Sequence, residues 1–81
     1  MKSEEEKQYK EDDLKKLANR IRSLRIKKGY SNYENFAFEH DIARAQYGKY
    51  EKGEDLRYSS LLKVIRALGV SVQEFFSEGF D

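Results

Sequence analysis

The chain has no cysteine and only one histidine, His40, among its 81 residues. The first absence removes disulfides and thiolate metal sites, and the second removes any histidine-rich metal cluster. With no cysteine nucleophile and no evident sequence partner for His40, neither a thiol nor a triad mechanism can be assembled. No glycine-rich loop that could cradle a phosphate is present. Glu54 and Asp55 are neighbouring carboxylates, but they stand in an expected loop with no apolar surround to raise a pKa. An enzyme is therefore not expected, and neither is a metal or a cofactor. No apolar run approaches a membrane span, and the acidic N-terminus is unlike a signal peptide. The expectation is a soluble, cytoplasmic protein. A chain of this length holds one small core and no separate ligand-sensing domain, so no small-molecule ligand is expected.

What is present is charge, unevenly placed. The net charge is +1, yet residues 1–13 carry three lysines against six acidic residues, a net −3. Leu14 to Lys52 holds ten basic and four acidic residues, a net +6. Residues 1–12 read as a charged tail, disordered or a backward extension of the first helix, and 13–81 as the folded domain.

Helical spacing runs through the rest. Leu14, Leu17, Ala18, Ile21, Leu24 and Arg25 share one face of a first helix, which Asp12 or Asp13 caps. Lys15, Lys16, Arg20, Arg22 and Lys27 fall on the opposite face, and Gly29 ends the helix. A second helix begins at Ser31 or Asn32, with Ser31 to Glu34 fitting a capping box and Phe36, Ala37 and His40 facing inward. His40 reads as a core or turn residue. Asp41 is short and polar enough to hold a left-handed turn. A fourth helix starts near Ser59, carries Leu61, Leu62, Val64, Ile65 and Leu68, and stops at Gly69. Ser71 to Glu74 fits a further capping box, with Val70 and Phe75 as its hydrophobic staple, and this fifth helix ends near Ser77 or Glu78. Nothing alternates with period two, so the fold expected is all-α.

The chain is organised around the third helix, from about Ala43 to Gly53. Tyr47, Tyr50 and Glu51 fall on one side of it, leaving Arg44, Ala45, Gln46 and Lys49 on the other. Long polar donors on an outward helix face suit base edges in a major groove, although a merely solvated face would look the same.

The order and spacing of several pieces resemble the lambda-repressor-like (Cro/C1, XRE-type) DNA-binding domain over roughly Leu17 to Phe76. The pieces are Ile21-Arg22-Ser23-Leu24-Arg25, Lys28-Gly29, Phe36-Ala37, Ile42, Tyr50-Glu51-Lys52-Gly53, and the run from Leu62 to Val72. The resemblance implies five helices, with helices 2 and 3 as the helix-turn-helix. It implies a small transcriptional regulator, of repressor type, binding double-stranded DNA. Arg44, Ala45, Gln46 and Lys49 would then read bases. Asn32, Tyr33, Ala43, Lys52 and Arg57 would contact phosphates. Arg25 and Glu51 occupy positions that pair in relatives, and both lie on otherwise inward faces.

The chain departs from the family pattern in several places. Asp41 replaces a common turn glycine, and Ala43 a capping serine or threonine. Tyr47 is bulkier than the usual aliphatic residue, and Gly48 interrupts the recognition helix, either to admit DNA backbone or as a tolerated defect. Glu54 and Asp55 are acidic where relatives often contact phosphate. These departures keep open an alternative, a protein-interaction or antitoxin-like module with weak or no DNA binding. Phe75, Phe76 and Phe80 at the chain end are expected to form the surface of a homodimer, one that forms either in free solution or only on DNA; the competing account folds all three into the core. Two copies reading half-sites 34–36 Å apart supply the specificity one small unit lacks.

Overall fold

The computed structural model describes residues 3–81, and every regular element in that range is helical. Residues 1 and 2 of the expected tail lie outside the described residues. Helix α1 spans Glu4–Lys27, α2 Tyr33–Glu39, α3 Arg44–Glu51, α4 Tyr58–Leu68 and α5 Val72–Phe75.

Helix α1 does not start at Asp12 or Asp13. Ser3 is its cap, with Oγ accepting from the Glu6 amide at 3.1 Å, and Glu4, Glu5 and Glu6 complement the positive end of the helix dipole. The described part of the expected tail is therefore helix. At the other end Gly29 adopts φ +110°, and the Tyr30 amide returns to the Arg25 carbonyl at 3.2 Å. Gly supplies that left-handed step without a Cβ clash.

Asn32, not Ser31, caps α2: its Oδ1 accepts from the amides of Glu34 and Asn35 at 2.7 and 3.2 Å. The turn into α3 hinges on Asp41, the one non-glycine residue with positive φ among those described, at 56°. The Ile42 amide then bonds the Ala37 carbonyl at 2.9 Å, and Lys63 of α4 donates to the Asp41 carbonyl at 2.9 Å. The left-handed step expected of Asp41 is thus present, and α4 holds it in place.

Ile21, Leu24, Phe36, Ala37, Tyr47, Tyr50, Leu61, Val64, Ile65, Leu68 and Phe75 form one buried cluster. Phe36 is its hub, with Tyr30 edge-on at 5.2 Å and Tyr47 at 5.3 Å between ring centroids. His40 is the C-cap of α2 and keeps Nδ1 2.9 Å from the Phe36 carbonyl, as a turn residue should. Each large side chain fully withdrawn from water contributes about 1.5–3 kcal/mol.

Two placements differ from expectation. Arg20 is not on the solvent face but buried. Its Nε donates to the Phe75 carbonyl at 2.7 Å, and a second guanidinium nitrogen donates to the Glu74 carbonyl at 2.8 Å. Those carbonyls end α5: the guanidinium supplies a donor to each, and the Glu74 carbonyl also accepts from the Ser77 amide at 3.2 Å and the Ser77 hydroxyl at 2.6 Å. Helix α5 itself stops at Phe75, short of Ser77, and Phe75 is fully buried. Phe75 therefore belongs to the core and cannot sit on a dimer surface.

Candidate nucleic-acid interface

Helix α3 is seated by its inner face. Tyr47 and Tyr50 are buried, and Glu51 closes the helix onto α1 through a two-pronged pair with Arg25. Arg25 Nε meets Glu51 Oε2 at 2.8 Å and a second nitrogen meets Oε1 at 2.9 Å; the third donates to the Tyr30 carbonyl at 2.6 Å. The hydrogen-bonded Glu51 carboxylate raises the Arg25 pKa despite the opposing effect of burial. Every nitrogen of the fork has a partner, which is the condition for burying such a charge.

The Tyr47 hydroxyl lies beside this pair, buried and without a hydrogen-bond partner. Burial first, then the neighbouring Glu51 carboxylate, pushes its pKa far above the usual phenol value. Gly48 is explained by the same inner face. A Cβ there would sit 3.1–3.3 Å from the ring and hydroxyl of Tyr33, so glycine admits the Tyr33 ring between α2 and α3. It faces the protein, not a DNA backbone.

The outer face of α3 is what remains. Arg44, Ala45, Gln46 and Lys49 are all exposed, and so are Ala43 before them and Lys52 after them. Ala43 caps α3 without any side-chain hydrogen bond, so the first amides of α3 are not consumed by a cap side chain. Arg44 borders a shallow concavity with Glu34, Asn35, Phe38 and Ile42. Asn32 is exposed, but its carbonyl oxygen is committed to capping α2, leaving the amide nitrogen as its outward donor. Tyr33 is half-buried over Gly48, and Arg57 is exposed at the start of α4.

The acidic α3–α4 loop has one unforeseen neighbour. Lys10 of the α1 extension lies 3.6 Å from Asp55, while Glu54 has no such bridge. The sequence gives no sign of this contact, because residues 4–11 suit a disordered tail and a backward extension of the first helix equally. The pattern Ser3-Glu4-Glu5-Glu6 was the available signal, being a capping box. Among the described residues, no group of His, Cys, Asp and Glu is arranged to hold a metal, and no helix is long and apolar enough to cross a membrane.

A short helix, a left-handed turn and a second helix with a polar outer face, set on a five-helix core, define a lambda-repressor-like helix-turn-helix domain. A helix-turn-helix family model matches residues 21–75, and the chain belongs to that Cro/C1-type family. No curated protein and no solved structure matches the chain. The family is one of DNA-binding regulators and is not typically enzymatic.

Proposed function

We propose that the protein is a sequence-specific transcriptional regulator, of repressor type and cytoplasmic, that lays α3 in the major groove of double-stranded DNA. The observation that carries this reading is the division of α3. Its inner face is fixed by Tyr47, Tyr50 and the Arg25–Glu51 pair, while Arg44, Ala45, Gln46 and Lys49 are free on the outside. A rigid helix with free long donors is what base reading requires, because the seat sets the register and the side chains choose the base. Arg44 is the guanine reader, with Gln46 and Lys49 assisting from further along α3 and Ala45 offering a methyl contact. Asn32, Tyr33, Ala43, Lys52 and Arg57 flank that face and take phosphates, fixing orientation without reading sequence.

The protein acts as a two-fold homodimer, formed at least on DNA, with Phe76 and Phe80 at the pairing surface. Phe76 is 41 % exposed and lies tilted against Phe80, with ring centroids 4.8 Å apart, an aromatic pair open to a partner.

One observation favours a second reading, an antitoxin-like interaction module. Glu54 and Asp55 are exposed beside the candidate interface, and Phe38 is 84 % exposed on α2. A mobility shift on DNA selected from random sequence, run at two salt concentrations, separates the two. DNA-binding function predicts a selected motif and affinity that falls steeply with salt. Failure to enrich any motif, with weak binding to all DNA alike, favours the interaction module.

A further inference from the structure

Two recesses adjoin the first turns of α3. On the α2 side, Arg44 borders one with Glu34, Asn35 and Phe38. On the α4 side, Ala43 and Gln46 border another, of about 180 Å³, with Ser60 and Lys63 of α4. The two differ in charge. The first carries the Glu34 carboxylate beside Arg44, so it repels an anion as well as attracting one. The second holds a single charged group, the Lys63 ammonium, and no acid.

That ammonium is both tethered and unspent. Lys63 is exposed, yet its Nζ donates to the Asp41 carbonyl at 2.9 Å, which fixes its position beside the recess. An ammonium carries three N–H groups, and the carbonyl takes only one. The ion pairs among the described residues are Lys10–Asp55, Arg20–Glu78 and Arg25–Glu51, so no carboxylate neutralises Lys63. A lysine end ordinarily loses rotamer freedom when it binds; this one is ordered before any ligand arrives. Ser60 stands three residues earlier on α4, hence on the same side, and brings a hydroxyl to the same recess.

We infer that this recess takes one backbone phosphate of the bound duplex, held by Lys63 and Ser60. The inference rests on the major-groove reading of α3 and adds α4 to the interface. A helix lying in the major groove has a sugar-phosphate backbone on each side of it. Asn32 and Tyr33 serve the α2 side, and the recess serves the α4 side, level with the turn that carries Gln46. The contact is blind to sequence, but it sets register. One ammonium then joins the phosphate to the Asp41 carbonyl, so the left-handed turn that launches α3 is tied directly to the DNA. Lys63 is a positioning residue for the base readers as well as a phosphate ligand.

Binding of the full-length protein to a selected operator, measured over a series of salt concentrations, tests this. Lys63→Met should weaken binding and flatten the slope of log affinity against log salt by about 0.9 per protomer, the counterion release of one phosphate. Lys63→Arg keeps the charge and should restore the wild-type slope. Lys15→Met loses the same charge from an exposed site on α1 and should leave the slope unchanged. A wild-type slope in Lys63→Met, whatever its stability, would reduce the lysine to a tie for the turn and overturn the phosphate site. So would a slope that Lys63→Arg fails to restore, or an equal change in Lys15→Met.

A second pair of variants leaves Lys63 and its carbonyl untouched. Ser60→Asp sets a carboxylate in the recess, within the first turn of α4, where an acid favours the helix. Ser59→Asp adds the same charge one residue earlier, outside the recess. With both shown to be folded by thermal melting, Ser60→Asp should bind the operator at least about tenfold more weakly than Ser59→Asp, because it opposes the phosphate at close range. Equal affinities would overturn the site. Either overturning result, with the wild type still selecting a DNA motif, leaves the major-groove reading standing without the α4 contact. A wild type that selects no motif removes both.

Discussion

The ring of Tyr33 occupies the space that a side chain at Gly48 would fill, within 3.1–3.3 Å of where its Cβ would stand. A glycine in mid-helix costs about 1 kcal/mol relative to alanine, and here the cost is offset by close packing of α2 on α3. That packing sets the angle between the two arms of the helix-turn-helix. Gly48→Leu should therefore destabilise the fold by about 1–3 kcal/mol through overpacking. In a Tyr33→Ala background the same change should cost little or nothing. Equal losses in both backgrounds, measured by chemical denaturation, would show that the ring is not what excludes the side chain.

Arg25 and Glu51 fasten the recognition helix to α1. Replacing Arg25 with methionine leaves the carboxylate and the Tyr30 carbonyl without their donors in a largely buried place. A loss of about 3–5 kcal/mol is expected, a large fraction of the stability of a domain this small. A melting temperature within a degree or two of wild type would mean the pair contributes little.

Tyr47 gives a prediction of opposite sign. Its hydroxyl is buried with no partner, so Tyr47→Phe should leave stability unchanged or raise it by about 1 kcal/mol. The same hydroxyl makes the wild type alkali-sensitive. Its folded pKa is raised, so its contribution is intact below the unfolded tyrosine value near 10 and is lost as pH climbs toward the folded value. Above pH ~10 the wild type should lose about 1.4 kcal/mol per pH unit more than Tyr47→Phe, one proton's worth. Parallel stability curves for the two proteins from pH 9 to 11 would contradict this.

The sequence made the frame of the fold readable because its signals are local. Gly29 and Gly69 mark helix ends by the left-handed step only glycine takes freely, and Asp41 holds the turn by the same geometry. Arg25 and Glu51 were legible as inward charges because each stands on an apolar face, and the resemblance to the family implied that they pair. What stayed hidden depends on distant partners. Arg20 falls on the polar side of α1 by periodicity, and only the return of α5 beneath it turns that side into an interior. Phe75 and Phe76 are adjacent and chemically alike, yet one is core and the other is 41 % exposed; the short α5 decides which. Gly48 is unintelligible without Tyr33 across the helix pair. The start of α1 stayed open between two readings for a different reason: a run of glutamates and lysines suits disorder and helix equally, and the Ser3 cap decides between them.

The central claim is that the outer face of α3 reads bases, and Arg44 tests it most directly. Binding of wild type and Arg44→Ala should be measured against a library holding every single-base change in the selected operator. If Arg44 reads a guanine, the variant loses about 1–3 kcal/mol on the operator and its preference collapses at one position per half-site, the rest being kept. A uniform loss across the whole library, with the wild-type preference intact at every position, would contradict base reading by Arg44 and assign it to the phosphates.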